Sequence, residues 1–212
     1  MQQEFGRNYF YGGNKSNYFN YEKMNHSKVF QGIAYFLKKH GIRGDSLLDA
    51  GCAFGFLLKE LSPFFKELTG FDISKFAIEK ARKIIPKADL SILNLHDTLL
   101  YPDNHFDCVT AVDVLEHTRD FGESFGKLVK KLRKRGYLII STPLDRWPRK
   151  YFGFIGDRDR THISVPTERE LNSIIKKNNL KIIEKRYFSP FPILYRIPTI
   201  PWQTEILMQK NY

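Results

Sequence analysis

The 212-residue sequence predicts an α/β fold, a doubly wound and mostly parallel sheet with helices on both faces, in a single domain over 1–212. Three observations predict it. Short apolar runs alternate with stretches of helical periodicity, the pattern of successive strand–helix–strand units. The run Leu47-Leu48-Asp49-Ala50-Gly51-Cys52-Ala53-Phe54-Gly55 reads as a strand that ends in an acid, turns on glycine and opens a helix. About 20 residues on, Gly70-Phe71-Asp72 closes a second apolar run on another acid.

Each element follows from local chemistry. Phe30, Ile33, Ala34 and Leu37 fall at helical spacing, and Gly41 is a stop. Residues 46–49 form strand one, 54–66 are mostly helix, and 68–72 form strand two. Ser74 caps a helix carrying Ala77, Ile78, Ala81 and Ile84, which Pro86 terminates. Strand three covers 89–93 and strand four 106–112. A basic amphipathic helix spans 121–133, and strand five covers 137–141. Thr167-Glu168-Arg169-Glu170 is a capping box that opens a helix with Leu171, Ile174 and Ile175 inward. Residues 181–187 and 204–208 supply strands six and seven. No internal repeat or low-complexity stretch interrupts this order.

Composition narrows the class. An apolar share of 42% and a charged share of 27% are those of a globular protein, not of a disordered chain. No apolar run approaches the ~20 residues that span a bilayer. Residues 1–21 are polar and tyrosine-rich with no apolar leader core, so a cytoplasmic location is expected. The two cysteines, Cys52 in the turn and Cys108 in a buried strand, point to neither a disulfide nor a metal knot. The net charge of +11 and pI near 9.6 are compatible with a polyanionic partner. Much of that charge lies in 127–135 and 176–186, on helices and turns where lysine is ordinarily solvated.

Glycine spacing separates two ligand classes. A dinucleotide fingerprint starting at Gly51 needs glycine at Ala53 and Phe56, and neither is present. The chain reads D-x-G-x-x-x-G, and Asp49 would repel a pyrophosphate while suiting a ligand with an amine and a sulfonium. This pattern resembles motif I of the class I S-adenosylmethionine-dependent methyltransferases, with Ala53 at the family's central glycine. Residues 101–117, with Pro102-Asp103 and Phe106-Asp107 leading to Leu115-Glu116-His117, resemble the family's fourth-strand region. Residues 130–143 resemble the following helix, turn and fifth strand, and 162–188 the last helix and sixth strand.

The resemblance implies a Rossmann-like, seven-stranded sheet with an antiparallel last strand, and S-adenosyl-L-methionine as cofactor. It places Asp49, Gly51, Ala53 and Gly55 around the methionine moiety, Asp72 on the ribose, and Ile73 near the adenine. Asn94, with Leu95, or else Asp97, meets the adenine amine, Asn94 being favoured by its closeness to the strand end. Asp113 ends strand four beside the methyl-donor position. The N-terminal segment 1–25 is expected to fold over the cofactor, with Tyr9 and Tyr18 closing the site, and 144–165 and 189–202 to form substrate-side insertions.

Methyl transfer from a sulfonium needs alignment above all, and a hydroxyl or amine nucleophile also needs a base. Asp113, Glu116, His117 and His162 are the candidate catalytic residues. On a helical turn, positions 113, 116 and 117 would share one face. The set resembles the acid-x-x-Glu-His segment of ubiquinone-type O-methyltransferases and the two-Glu, two-His magnesium site of small-RNA ribose methyltransferases. Both usually carry glutamate where Asp113 stands, so a histidine base without permanent metal is favoured over a divalent ion. A purely structural role for the segment is the remaining alternative. The expected reaction is methyl transfer to oxygen or nitrogen of an unidentified small-molecule or lipid-linked acceptor. The alternatives are RNA, from the charge, or an inactive S-adenosylmethionine-binding protein.

Overall fold

The computed structural model describes residues 5–13, 16–26, 28–146, 159–188 and 203–211. The alternation becomes seven strands: β1 (Gly44–Ala50), β2 (Phe65–Asp72), β3 (Asp89–Ile92), β4 (Phe106–Val112), β5 (Leu132–Pro143), β6 (Leu180–Phe188) and β7 (Gln203–Lys210). They stand side by side in the order β3-β2-β1-β4-β5-β7-β6. All neighbours are parallel except β7, which runs antiparallel to both β5 and β6. Strand order reverses between β1 and β4, the topological switch point where such sheets bind ligands.

Six α-helices are described: α1 (Arg7–Phe10), α2 (Lys28–Lys39), α3 (Phe56–Leu61), α4 (Lys75–Ile84), α5 (Phe121–Lys131) and α6 (Glu168–Lys177). The period-two alternation of buried strands divides the core between the two sheet faces. Leu47, Cys108, Ile139 and Leu207 pack with α2, α3 and α4 on one side. Leu48, Val109, Leu138, Ile140 and Ile206 pack with α5 and α6 on the other. Caps set the helix ends. Ser74 Oγ accepts from Ala77 N at 3.2 Å, Asp120 caps α5 through Glu123 N at 2.8 Å, and Thr167 and Glu170 form a reciprocal capping box. Gly41, at φ +62°, ends α2.

The largest differences from the sequence expectation are at helix–strand boundaries. The helix expected over 54–66 is confined to Phe56–Leu61, because Ala53 and Gly55 keep positive φ and a Pro63-containing 3₁₀ turn follows. β2 consequently starts at Phe65, three residues early. The helix expected over 121–133 stops at Lys131, and β5 begins at Leu132 with a register shift opposite Phe106 and Cys108. Of the two expected insertions, 147–158 and 189–202 lie outside the described residues.

Asp107 fastens the central strands at the end opposite the switch-point loops. Its Oδ2 accepts from Asp45 N at 2.7 Å and Ser46 N at 2.8 Å, and its other oxygen pairs with Arg133. Gly44 permits this approach, since a Cβ there would sit 2.6 Å from Asp107 Cβ. Asp107→Ala leaves these backbone donors without their acceptor, so denaturant unfolding should show a loss of about 2–4 kcal/mol. A loss below about 0.5 kcal/mol would contradict this role.

Candidate active site

The turn after β1 is built from left-handed backbone. Gly51, Ala53 and Gly55 have φ of +69°, +45° and +77°. A Cβ on Gly51 would come within 2.3 Å of Val114 Cγ2, so glycine is required there by space as well as by φ. Ala53 bears a left-handed cost of roughly 1–2 kcal/mol. Its N–H is held in return by Asp72 Oδ2 at 2.9 Å. Asp72 Oδ1 accepts from Ser74 N at 2.8 Å, and Cys52 N donates to Phe71 O at 2.9 Å. One carboxylate thus ties the β1 turn to the start of α4.

Both strand-end acids are buried without a cation. Asp49 is 2% exposed and accepts from Thr110 Oγ1 at 2.6 Å, while Asp72 is 9% exposed. Among the described residues neither forms an ion pair. Burial pushes the Asp49 carboxyl up to about 7, against the Thr110 bond, with the nearby Asp72 adding to the rise. Burial likewise raises Asp72 to about 6, opposed by its bonds from Ser74 and Ala53.

Beyond these acids lies a cavity enclosing about 770 Å³ of space, its open mouth included. Gly51, Ala53, Asp72, Ile73, Asn94, Leu95, Asp113 and His117 all line it. The N-terminal segment covers it with Phe5, Tyr9, Tyr18 and Tyr21. Tyr9 sits edge-on to Tyr18 at 5.7 Å, and Tyr18 to Tyr21 at 4.8 Å. Asn94 Oδ1 accepts from His96 N at 3.0 Å, which fixes the loop after β3.

The four candidate catalytic residues divide. Asp113, at φ +54°, is not helical, and the 3₁₀ turn covers only Leu115–His117. The expected shared helical face of 113, 116 and 117 is therefore absent. Asp113 Oδ1 accepts from Ser141 Oγ at 3.1 Å and from Gln203 Nε2. Glu116, His117 and His162 do converge, with one ligating atom from each lying within 4.8 Å of the others. Glu116 is fully buried; its Oε2 accepts from Thr142 Oγ1 at 3.1 Å, and its Oε1 has no hydrogen-bond partner among the described residues. Burial raises its carboxyl to about 8; Asp113 adds to the rise and His162 opposes it. The His117 and His162 rings stand 4.7 Å apart, centroid to centroid.

Of the residues singled out from sequence, Tyr9, Tyr18, Gly51, Ala53, Asp72, Ile73, Asn94, Leu95, Asp113 and His117 line the cavity. Asp49, Gly55, Glu116, His162 and Asp97 do not. Sequence reasoning missed Phe5, Tyr21 and His96 on the wall, and the two residues behind His117, Asp159 and Thr161. The aromatic density of 5–21 was the available signal for the first two. Nothing local marks the others.

The raised Asp49 fixes a pH dependence. In the fold it keeps its proton up to about 7 rather than 3.8, so its contribution to stability is complete below about pH 4 and is lost as pH rises through 7. Unliganded Asp49→Asn should therefore be about 1–3 kcal/mol more stable than the parent at pH 8, with a shallower decline between pH 4 and 8. Equal stability across that range, measured by urea unfolding, would show that the carboxylate is not under this stress.

Comparison with known proteins agrees with the geometry. A family model described as a methyltransferase domain matches residues 21–185. The ubiquinone biosynthesis O-methyltransferase of Alkalilimnicola ehrlichii is 29% identical over 121 residues, 55% of this chain and 49% of that protein. Its counterpart in Bradyrhizobium sp. is 28% identical over 163 residues, 71% of this chain and 64% of that protein. The chain thus spans about half to two thirds of the length of these curated relatives. Among solved structures, an S-adenosylmethionine-dependent methyltransferase from Clostridium acetobutylicum superposes with a TM-score of 0.70 at 16% identity, covering 91% of this chain and 96% of that one. Magnesium protoporphyrin IX methyltransferase from Synechocystis with bound SAH gives 0.69 at 18% identity, covering 95% and 91%. These likenesses show the fold. The chain belongs to the methyltransferase-domain family, as a class I S-adenosylmethionine-dependent member.

Proposed function

We propose that this protein transfers the methyl group of S-adenosylmethionine to an oxygen or nitrogen of a small-molecule acceptor, with His117 as general base. The observation that carries this reading is that one cavity is lined both by Gly51, Ala53 and Asp72 and by His117. The residues fit the cofactor on their own chemistry. Two buried carboxylates have no cation partner among the described residues, and Gly51 offers backbone where any side chain would collide with Val114. Asp72 accepts from the ribose hydroxyls, its two oxygens each retaining a lone pair beyond the backbone bonds. Ile73 and Leu95 flank the base. Asp49 balances positive charge from behind the turn. When bound, the cofactor supplies a methyl group already activated on a sulfonium.

The chain's own contribution is alignment and proton removal. The tyrosine cover excludes water, and orientation of the acceptor against the methyl position can supply ~7–11 kcal/mol. His117 takes the acceptor's proton, an effect of typically ~10²–10⁴-fold in rate. An oxygen acceptor is supported by the curated relatives, which carry the name ubiquinone biosynthesis O-methyltransferase. No helix among the described residues is long and apolar enough to cross a membrane.

One observation favours a second reading. Glu116, His117 and His162 offer a carboxylate oxygen and two imidazole nitrogens in one cluster, and Glu116 Oε1 is a buried acceptor with no partner among the described residues. That donor set fits zinc better than magnesium, which takes oxygen ligands. A cation there would polarise an acceptor hydroxyl.

Two measurements test the reading. Asp72→Ala should weaken S-adenosylmethionine binding by about 1–3 kcal/mol in calorimetry. Unchanged affinity would remove Asp72 from the ribose. With an acceptor found by screening phenolic metabolites, other small molecules and RNA against labelled cofactor, His117→Gln should lose about 10²–10⁴-fold in kcat while cofactor affinity holds. Activity that survives chelator supports the base. Activity that vanishes with chelator and returns with added metal supports the cation, and transfer to RNA alone overturns the small-molecule acceptor.

A further inference from the structure

Behind His117 lies a chain of hydrogen bonds that the proposed reaction has not yet used. His117 Nδ1 faces two oxygens of Thr161, the hydroxyl at 2.8 Å and the backbone carbonyl at 3.2 Å. The Thr161 hydroxyl donates its proton to Asp159 Oδ1. Asp159 Oδ1 also accepts from Thr161 N at 2.9 Å, and its Oδ2 accepts from the Tyr9 hydroxyl at 2.9 Å. Asp159 and Thr161 are buried, at 7% and 8% exposure, so the network is internal.

Proton counting assigns the bonds between Thr161 and its two neighbours. A hydroxyl has one hydrogen, and Thr161 spends it on Asp159, so towards His117 it can only accept. A carbonyl can only accept. Nδ1 therefore carries a hydrogen in the neutral ring, and the lone pair resides on Nε2. The strap bearing Thr161 is itself fixed to the His117 turn. Ile163 N and Ser164 N both donate to Glu116 O, at 2.9 and 3.0 Å, and Ser164 Oγ donates to Thr118 O at 2.6 Å. On the ring's other sides stand Phe5, edge-on at 5.6 Å, and Tyr9, edge-on at 6.4 Å.

We propose that Asp159 and Thr161 are positioning residues that act through His117, locking it as the Nδ1–H tautomer with Nε2 as its basic atom. The Tyr9 hydroxyl ties the N-terminal cover to the same carboxylate. The arrangement follows the logic of an acid–histidine pair, with a threonine hydroxyl interposed. When His117 takes a proton at Nε2, both ring nitrogens become donors, and the Nδ1–H···Thr161···Asp159 chain brings an acid's charge to the imidazolium. Docking of the cover and presentation of the base thereby share one carboxylate. The catalytic consequence rests on His117 being the base, whereas the tautomer assignment does not.

The experiment separates the two. Protein labelled with ¹⁵N-histidine, treated with chelator and held at alkaline pH where the ring is neutral, reports its tautomer by long-range ¹H–¹⁵N NMR. His117 is expected as Nδ1–H in the parent and in Thr161→Ser. In Asp159→Ala the Thr161 hydroxyl is released to donate to Nδ1, and a mixture with Nε2–H is expected. With an acceptor in hand, Asp159→Ala and Thr161→Val should each lose about 10–100-fold in kcat with cofactor affinity unchanged, while Thr161→Ser stays within a few-fold of the parent. An Nε2–H tautomer in the parent overturns the proposal. So does an unaltered Nδ1–H population in folded Asp159→Ala together with parental kcat in Thr161→Val. Should Asp159→Ala fail to fold, the parent tautomer and the Thr161→Val to Thr161→Ser contrast decide. Full turnover by His117→Gln would refute the base and leave the tautomer result standing.

Discussion

Two carboxylates are held, buried, at adjacent strand ends, and no lysine or arginine among the described residues pairs with them. The rest of the site depends on that constraint. Asp49 and Asp72 arrive there because β1 and β2 are parallel neighbours with Asp49 opposite Gly70 and Ala50 opposite Phe71. Burial raises both acids towards neutrality, to about 7 and about 6, a stress that an unliganded fold would relieve by substitution. Their retention makes sense against a cationic ligand. Asp72 also holds the left-handed turn through Ala53 N, so the group proposed to meet the ribose also shapes the turn.

The same economy recurs at the His117 turn. The turn at 115–118 is fixed from two directions, by β5 through Thr142 on Glu116 and by the 159–164 strap through backbone bonds to Glu116 O. His117 lines the cavity while its neighbour Glu116 points into the protein, so consecutive residues face opposite environments. That divergence separates a histidine on the cavity wall from a carboxylate packed behind it. The Tyr9 hydroxyl joins the N-terminal segment to the 159–164 strap through Asp159.

Much of the fold was legible because its signals are local. The acid-glycine turn at 49–55, the caps at Ser74 and Thr167 and the period-two strands all declare themselves within a few residues. The features that were not legible depend on distant partners. Ala53 looks like a loss of the family's glycine, yet the bond from Asp72, 19 residues away, holds it in the left-handed region glycine would occupy. Asp113 reads as the start of a helical turn, but Ser141 and Gln203 hold its side chain and its φ is positive, so it leaves the face that Glu116 and His117 were expected to share. Thr161 and Asp159 carry no motif, and their meaning comes only from contact with His117, 44 residues away from Thr161 in the chain. Pro63 was visible in the sequence, but the shortening of α3 also needed the positive φ of Ala53 and Gly55.

Proton exchange on cofactor binding is the most direct test of the stressed carboxylates. Calorimetry of S-adenosylmethionine binding at about pH 6.5, repeated in buffers of different ionisation enthalpy, counts the protons moved. A positive ligand beside Asp49 and Asp72 must lower carboxyls that burial has raised, so binding should release roughly half a proton or more per site, and Asp49→Asn should release less. Binding with no proton release, or with proton uptake, in the parent protein would contradict the account.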